Sequence, residues 1–144
     1  MRLIAALLGV LVLVACPAPP KGPDPAALEA SAEVTIQAIP APDPARYHDV
    51  HSALKWLNPY VVITRDGVDL VDYKNNELHH LKPEELVLAL GKLPPAAWPY
   101  GRVVAASESS ARAPGDDALI RKNRGIVAGT LEGLHVLINW FPPE

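Results

Sequence analysis

Proline occupies five of the nine positions from Pro17 to Pro25. Each one fixes φ and removes a backbone donor, so neither helix nor sheet can run through this stretch. The sequence predicts an extended spacer there, roughly 28 Å long at about 3.1 Å per residue. The spacer divides the chain into an apolar leader and a body of ordinary composition. Of the first 16 residues 14 are apolar, the exceptions being Arg2 and Gly9. Without that leader about 44% of the remainder is apolar, a normal value for a folded domain and too high for a wholly disordered chain.

The leader reads MRLIAALLGVLVLVAC, with one positive charge ahead of a 13-residue apolar run from Leu3 to Ala15. As a helix that run reaches about 20 Å, short of a hydrocarbon core near 30 Å. The pattern predicts a secretion signal over residues 1–15 rather than a stable membrane span. Its end, Leu13-Val14-Ala15-Cys16, resembles the bacterial lipoprotein lipobox, and Cys16 is the only cysteine in the chain. The resemblance implies a diacylglycerol on the Cys16 thiol and cleavage before it. The implied partner is the lipid bilayer, and the implied location is the bacterial envelope, with the domain outside the cytoplasm. With no second cysteine, an internal disulfide, a zinc ribbon, an iron–sulfur cluster and a thiol nucleophile in the body are excluded.

Residues 16–32 are expected to form the lipidated cysteine and its tether, with AALEASA at 26–32 adding at most a helical turn. A single domain is expected over 33–142. Val34, Ile36 and Ala38 alternate with polar residues and read as a strand. Tyr47, Val50, Leu54 and Leu57 recur at helical spacing and read as a short helix over 47–57, ended by Asn58-Pro59. Two β-branched and aromatic runs flank Asp66-Gly67, predicting a hairpin on a type I′ turn. That register pairs Ile63 with Leu70, Val62 with Val71 and Tyr60 with Tyr73, and Asn75-Asn76 marks a second turn. Pro83-Glu84-Glu85 opens a helix with Leu86, Leu90 and Leu93 as its stripe. Val103 to Ser107 reads as a buried strand. Asp116 or Asp117 caps a helix with Ile120, Val127, Leu131 and Leu134 inward, ended at Gly133, and Val136, Ile138 and Trp140 belong to a closing strand.

This order predicts an α+β fold, a two-layer sandwich whose mixed sheet contains a β-hairpin and carries two main helices on one face. Right-handed crossovers would make the last three strands parallel neighbours. From Val61 to Ile138 the order of elements resembles the periplasmic domain of ExbD/TolR-type proteins. The residues that carry the resemblance are the strand ending in Asp66-Gly67, the helix with Leu86 and Leu90, and the closing strand–helix–strand. That family keeps a membrane helix with an essential Asp, whereas the leader here has no carboxylate. The resemblance therefore implies a fold and not a proton-driven motor.

The net charge is −3 and no basic stripe occurs, which argues against nucleic acid as a partner. His48 and His51 stand at i, i+3, and His79 and His80 are adjacent. A metal would need three or four convergent donors, and neighbours on a strand point to opposite faces. These four are the candidates for a metal; no cofactor is otherwise implied. The nucleophile-elbow, phosphate-loop and zinc-protease patterns are all absent. Ser107-Glu108-Ser109-Ser110 follows a strand and reads as a polar loop. Trp98, Tyr100 and Arg102 lie in a Pro/Gly-rich connection, and these residue types are enriched where partners bind. The sequence therefore reads as a lipid-anchored envelope protein with a small non-enzymatic interaction domain, its partner an envelope protein. A metal- or ligand-binding lipoprotein is the alternative, and a minor hydrolase the third.

Overall fold

A computed structural model describes residues 22–72 and 77–143. The lipobox residues Leu13, Val14, Ala15 and Cys16, as well as Tyr73 and Asn75-Asn76, lie outside the described residues. Helix α1 (Pro25–Gln37) starts where the sequence placed the tether. Asp24 accepts the Ala26 amide at 3.2 Å and Pro25 takes the first helical position, where a missing N–H costs nothing. The strand expected over 34–38 is corrected by this helix. Val34, Ile36 and Ala38 alternate, but Ala32, Ile36 and Ile39 are the buried set, spaced i, i+4, i+7. Five residues are too few to tell the two periods apart, and packing decides.

The 47–57 helix is also corrected. One 3₁₀ turn, Pro44–Arg46, precedes this span and another, Ala53–Lys55, is the helical part within it. Tyr47, Ala53 and Trp56 are buried while Leu54 and Leu57 are exposed, so the expected stripe is not the inward one. Asn58 and Pro59 then lead into β1 (Tyr60–Ile63).

The hairpin forms, with a different turn and register. β1 pairs antiparallel with β2 (Val68–Asp72), matching Ile63 with Val68 and Tyr60 with Val71. The slip is two residues, so each side chain keeps the face the sequence assigned it. Arg65 and Asp66 form the loop, and no residue from 64 to 67 has positive φ, so the type I′ turn does not occur. Instead the Thr64 amide donates to Gly67 O at 3.0 Å and the Gly67 amide to Thr64 Oγ1 at 3.1 Å. Asn123 Nδ2 donates to the carbonyls of Thr64 (2.9 Å) and Arg65 (3.1 Å), so a distant helix selects this turn. Gly67 matters for closeness: a Cβ there would lie 2.2 Å from the Leu81 carbonyl oxygen.

That carbonyl belongs to β3 (Glu77–Leu81), an exposed edge strand paired with β2 that the sequence did not announce. A 3₁₀ turn at Pro83–Glu85 runs into α2 (Leu86–Gly91), and Glu85 accepts the Lys82 amide at 2.8 Å. A Cβ on Gly91 would lie 2.5 Å from Ala32 Cβ, so α1 and α2 cross at a small-on-small contact. Next come a 3₁₀ turn at Pro95–Ala97, β4 (Val103–Glu108), α3 (Asp116–Gly133) and β5 (Leu137–Trp140).

The sheet order is β3-β2-β1-β4-β5. β4 runs parallel to β1 and to β5. The parallel trio is thus β1, β4 and β5; the second hairpin strand, expected among them, is antiparallel. The architecture is an α+β two-layer sandwich with three helices over one sheet face. Val61, Ile63, Val104 and Ala106 meet Ile36, Leu86, Leu90, Ile120, Val127 and Leu131 there. The opposite face holds a second core, where Tyr60, Val103 and Ala105 meet Tyr47, Ala53, Trp56, Tyr100 and Phe141. No described helix is long and apolar enough to cross a membrane.

α3 ends at Gly133, as expected, but the left-handed residue is His135, at φ 56°. The His135 amide donates to Glu132 O and the Val136 amide to Leu131 O, both at 2.9 Å, which closes the helix end. A left-handed L residue costs about 1–2 kcal/mol, partly offset when Gly gains freedom in the unfolded chain. His135→Gly is therefore expected to stabilise the domain by about 0.5–1 kcal/mol, read as a higher denaturant midpoint at constant m-value.

Candidate functional site

The segment Tyr47–His51 is held from both sides. Asp43 accepts the Ala45 amide at 3.2 Å, and Arg46 donates to Pro99 O at 2.8 Å. The Tyr47 ring meets Trp56 edge-on at 5.4 Å between centroids and Tyr100 at 5.6 Å. Trp56 in turn meets Phe141 at 5.7 Å, and its indole N–H donates to Pro59 O at 3.2 Å. Phe141 is fixed by its amide, which donates to Ala106 O at 2.8 Å. An aromatic chain thus ties the segment to the end of β5.

Between the two lies an open pocket of about 270 Å³. Tyr47, Trp140 and Phe141 line it, Tyr47 and Phe141 being almost wholly buried. His48, Val50, His51 and Asn139 complete the lining. His48 donates through Nδ1 to Ala45 O at 3.2 Å, and its Nε2 is 3.1 Å from Asp49. Burial, and then the charge of Asp43, push the Tyr47 phenol pKa up, so it stays protonated at neutral pH. The guanidinium of Arg124 stands 4.3 Å over the Trp140 ring and pairs with Glu108 at 2.9 Å.

No family model matches this chain, no curated protein matches it, and no solved structure matches it. The site is therefore argued from its own residues.

The histidines expected as metal candidates separate. His48 and His51 share the pocket. His79 and His80 are on β3, where His80 pairs with Asp69 at 2.6 Å and His79 with Glu77 at 3.5 Å. Among the described residues no three metal-ligating side chains come together. Trp98 and Tyr100, expected to face a partner, are 4% and 6% exposed and belong to the two opposite cores. That expectation is corrected: their ring area is buried by the fold itself. The Trp98 indole N–H is buried without a partner. Arg102 donates to Gln37 O (2.9 Å) and His135 O (3.0 Å), tying the ends of α1 and α3 to β4.

At the carboxyl ends of β1 and β4 a charged network forms instead of a reactive group. Ser107 is buried, its hydroxyl 2.5 Å from that of Tyr60. Glu108 accepts from Arg112 and Arg124, and Arg112 also pairs with Asp117 at 2.9 Å. Burial pushes the Glu108 carboxyl up; the hydrogen bonds from Arg112 and Arg124 outweigh it and hold the group below its ordinary range. Asp116 does not cap α3. Gly115 does so at φ 94°, while Asp116 accepts the Ala113 amide at 2.7 Å and pairs with Arg65 at 2.8 Å.

The pocket was not legible from its parts. The i, i+3 pair His48 and His51 pointed to one of its sides, and Asn139, a polar residue in the apolar run LINWF, to the other, but nothing joined them.

Proposed function

We propose that this chain is a bacterial envelope lipoprotein, held to the membrane through Cys16, whose small domain acts by binding rather than by chemistry. One observation carries the reading: the only cysteine ends an apolar run of 13 residues as Leu13-Val14-Ala15-Cys16. Lipid burial contributes about 0.8 kcal/mol per CH₂, and two chains anchor firmly where one does so marginally. Eight residues, Pro17 to Asp24, separate Cys16 from the start of α1. At about 3.1 Å per residue they place the domain within roughly 25 Å of the bilayer. The partner in this reading is an envelope protein. The likeness in element order to ExbD/TolR-type domains adds no motor role, because the leader lacks a carboxylate.

Cys16→Ser tests it. The variant is expected to lose fatty-acid labelling completely and to accumulate as unprocessed precursor or secreted protein. Labelling equal to that of the wild type would refute the anchor.

A further inference from the structure

We propose that β3 pairs antiparallel with β3 of a second copy of this chain, with Leu78 opposite itself on the two-fold axis and Glu77 opposite the partner's His79. β3 is an edge strand, and Glu77 to His80 are all exposed. The direction of its backbone groups follows from the sheet. The Ser109 amide donates to Ile63 O at 2.9 Å and the Thr64 amide to Gly67 O at 3.0 Å, so alternate residues of β1 turn to β4 and to β2. Carried through the register, this alternation makes Val62–Asp69 and Leu70–His79 hydrogen-bonded pairs. The N–H and C=O groups of Leu78 and His80 therefore turn outward, a template for another strand.

The side chains select a second copy and its register. Tyr60, Val71 and Leu78 are cross-strand neighbours on one sheet face, and this row ends at the open edge with Leu78 59% exposed. A second Leu78 continues the row and takes both leucines out of water. On the other face Glu77 and His79 stand together at 3.5 Å. With Leu78 on the axis, each Glu77 meets the partner's His79, whose imidazole N–H donates to the carboxylate whether the ring is neutral or charged. Symmetry makes this pair twice. An axis at His79 would set two imidazoles against each other and Leu78 against the partner's His80. An axis at His80 would set Leu78 against the partner's Lys82. Both lose the apolar pair and the Glu–His pairs. β5, the other edge, carries no charged residue to match. The Leu137 and Phe141 amides turn inward to β4, so Pro142 takes the next outward position and has no donor to offer.

Disulfide trapping tests it, in the full chain in detergent and again with Cys16→Ser, so that neither the anchor nor the native thiol decides the outcome. A hydrogen-bonded antiparallel pair has Cα atoms about 5.5 Å apart, within disulfide range. Leu78→Cys is therefore expected to oxidise to a covalent dimer. It should do so faster than His79→Cys, whose two copies would be two residues out of step with Cα atoms ~8 Å apart. It should also outpace Leu137→Cys on β5. Glu77→Lys added to Leu78→Cys is expected to slow trapping about tenfold, 1.4 kcal/mol over the two symmetric pairs. Adding His79→Glu as well restores it, because the charge pair is then reversed rather than lost. The substituted residues are all exposed, so the variants keep the parent's melting temperature. The proposal is overturned if Leu78→Cys traps no faster than Leu137→Cys, if His79→Cys is the fastest of the three, or if the reversed pair stays as slow as Glu77→Lys alone.

Discussion

Asn58→Ala is expected to cost about 3–5 kcal/mol, a large part of the ~5–15 kcal/mol that a domain has in total. The Asn58 side chain is 5% exposed. Its amide nitrogen donates to Gly101 O and Val103 O, both at 2.7 Å, and its oxygen accepts the Tyr100 amide at 2.8 Å. Truncation leaves the Tyr100 amide and the Val103 carbonyl of the β4 approach without the partner Asn58 gave them, each costing about 1–3 kcal/mol where water cannot reach. It also strips Gly101 O of one of its two donors, the Val103 amide at 2.8 Å remaining. These bonds also connect the aromatic layer to the sheet, so the damage is not confined to the side chain. Asn58→Asp makes the origin visible. A carboxylate still accepts from Tyr100 but sets an anionic oxygen against two carbonyls, so it should do at least as much harm as Ala at neutral pH. Urea denaturation of both variants reads the effect as a shift in midpoint. A loss below 1 kcal/mol for Asn58→Ala would show that the joint is held by packing alone.

The sequence-derived elements that stand are those whose signal is local. Pro83-Glu84-Glu85 does begin a helical segment and Val103 to Ser107 is buried throughout, whereas α2 already ends at Gly91, short of Leu93 and of Pro94-Pro95, where a 3₁₀ turn starts. α3 carries its stripe on Ile120, Val127, Leu131 and Leu134 as its period requires. Elements decided by distant contacts were not legible. α1 is selected over a strand because Ala32 fits against Gly91, a contact between residues far apart in the chain. The hairpin register follows from Asn123 holding the turn carbonyls, which no turn propensity encodes. β3 lacks the alternation of a strand because both its faces are largely exposed. The Trp98–Arg102 stretch misled for another reason. Aromatic residues and Arg mark binding surfaces, yet the same residues fill cores and clamp helix ends, and composition does not separate these uses. The pocket joins residues 47–51 to residues 139–141, so its two halves become neighbours only through the sheet and the aromatic chain.

Gly101→Ala is expected to destabilise by about 4 kcal/mol, combining two effects that can be measured apart. Gly101 has φ +80°, and a left-handed L residue costs about 1–2 kcal/mol. In addition its Cβ would lie 2.3 Å from the Ala41 carbonyl oxygen and 2.9 Å from the carbonyl carbon. The backbone cannot easily withdraw. On one side the Arg102 amide donates to Pro40 O at 2.8 Å, and on the other the Asp43 amide donates to Tyr100 O at 2.9 Å. Relief of the overlap must therefore break a hydrogen bond or displace the 40–43 segment, which is where the cost beyond the dihedral arises. Gly115→Ala is the control: φ is +94° but nothing lies within 4 Å of the added carbon. It should lose only the conformational part, about 1–2 kcal/mol. Equal losses for the two variants would remove the steric contribution. Combining Gly101→Ala with Asn58→Ala adds a further check. Both disturb the junction where Asn58 grips Gly101 O, so the double variant should lose less than the two single losses together, by ~0.5–3 kcal/mol. Strict additivity would mean that the 40–43 contact and the Asn58 clamp stabilise the fold independently, and that the aromatic layer is fastened to β4 at two points rather than one.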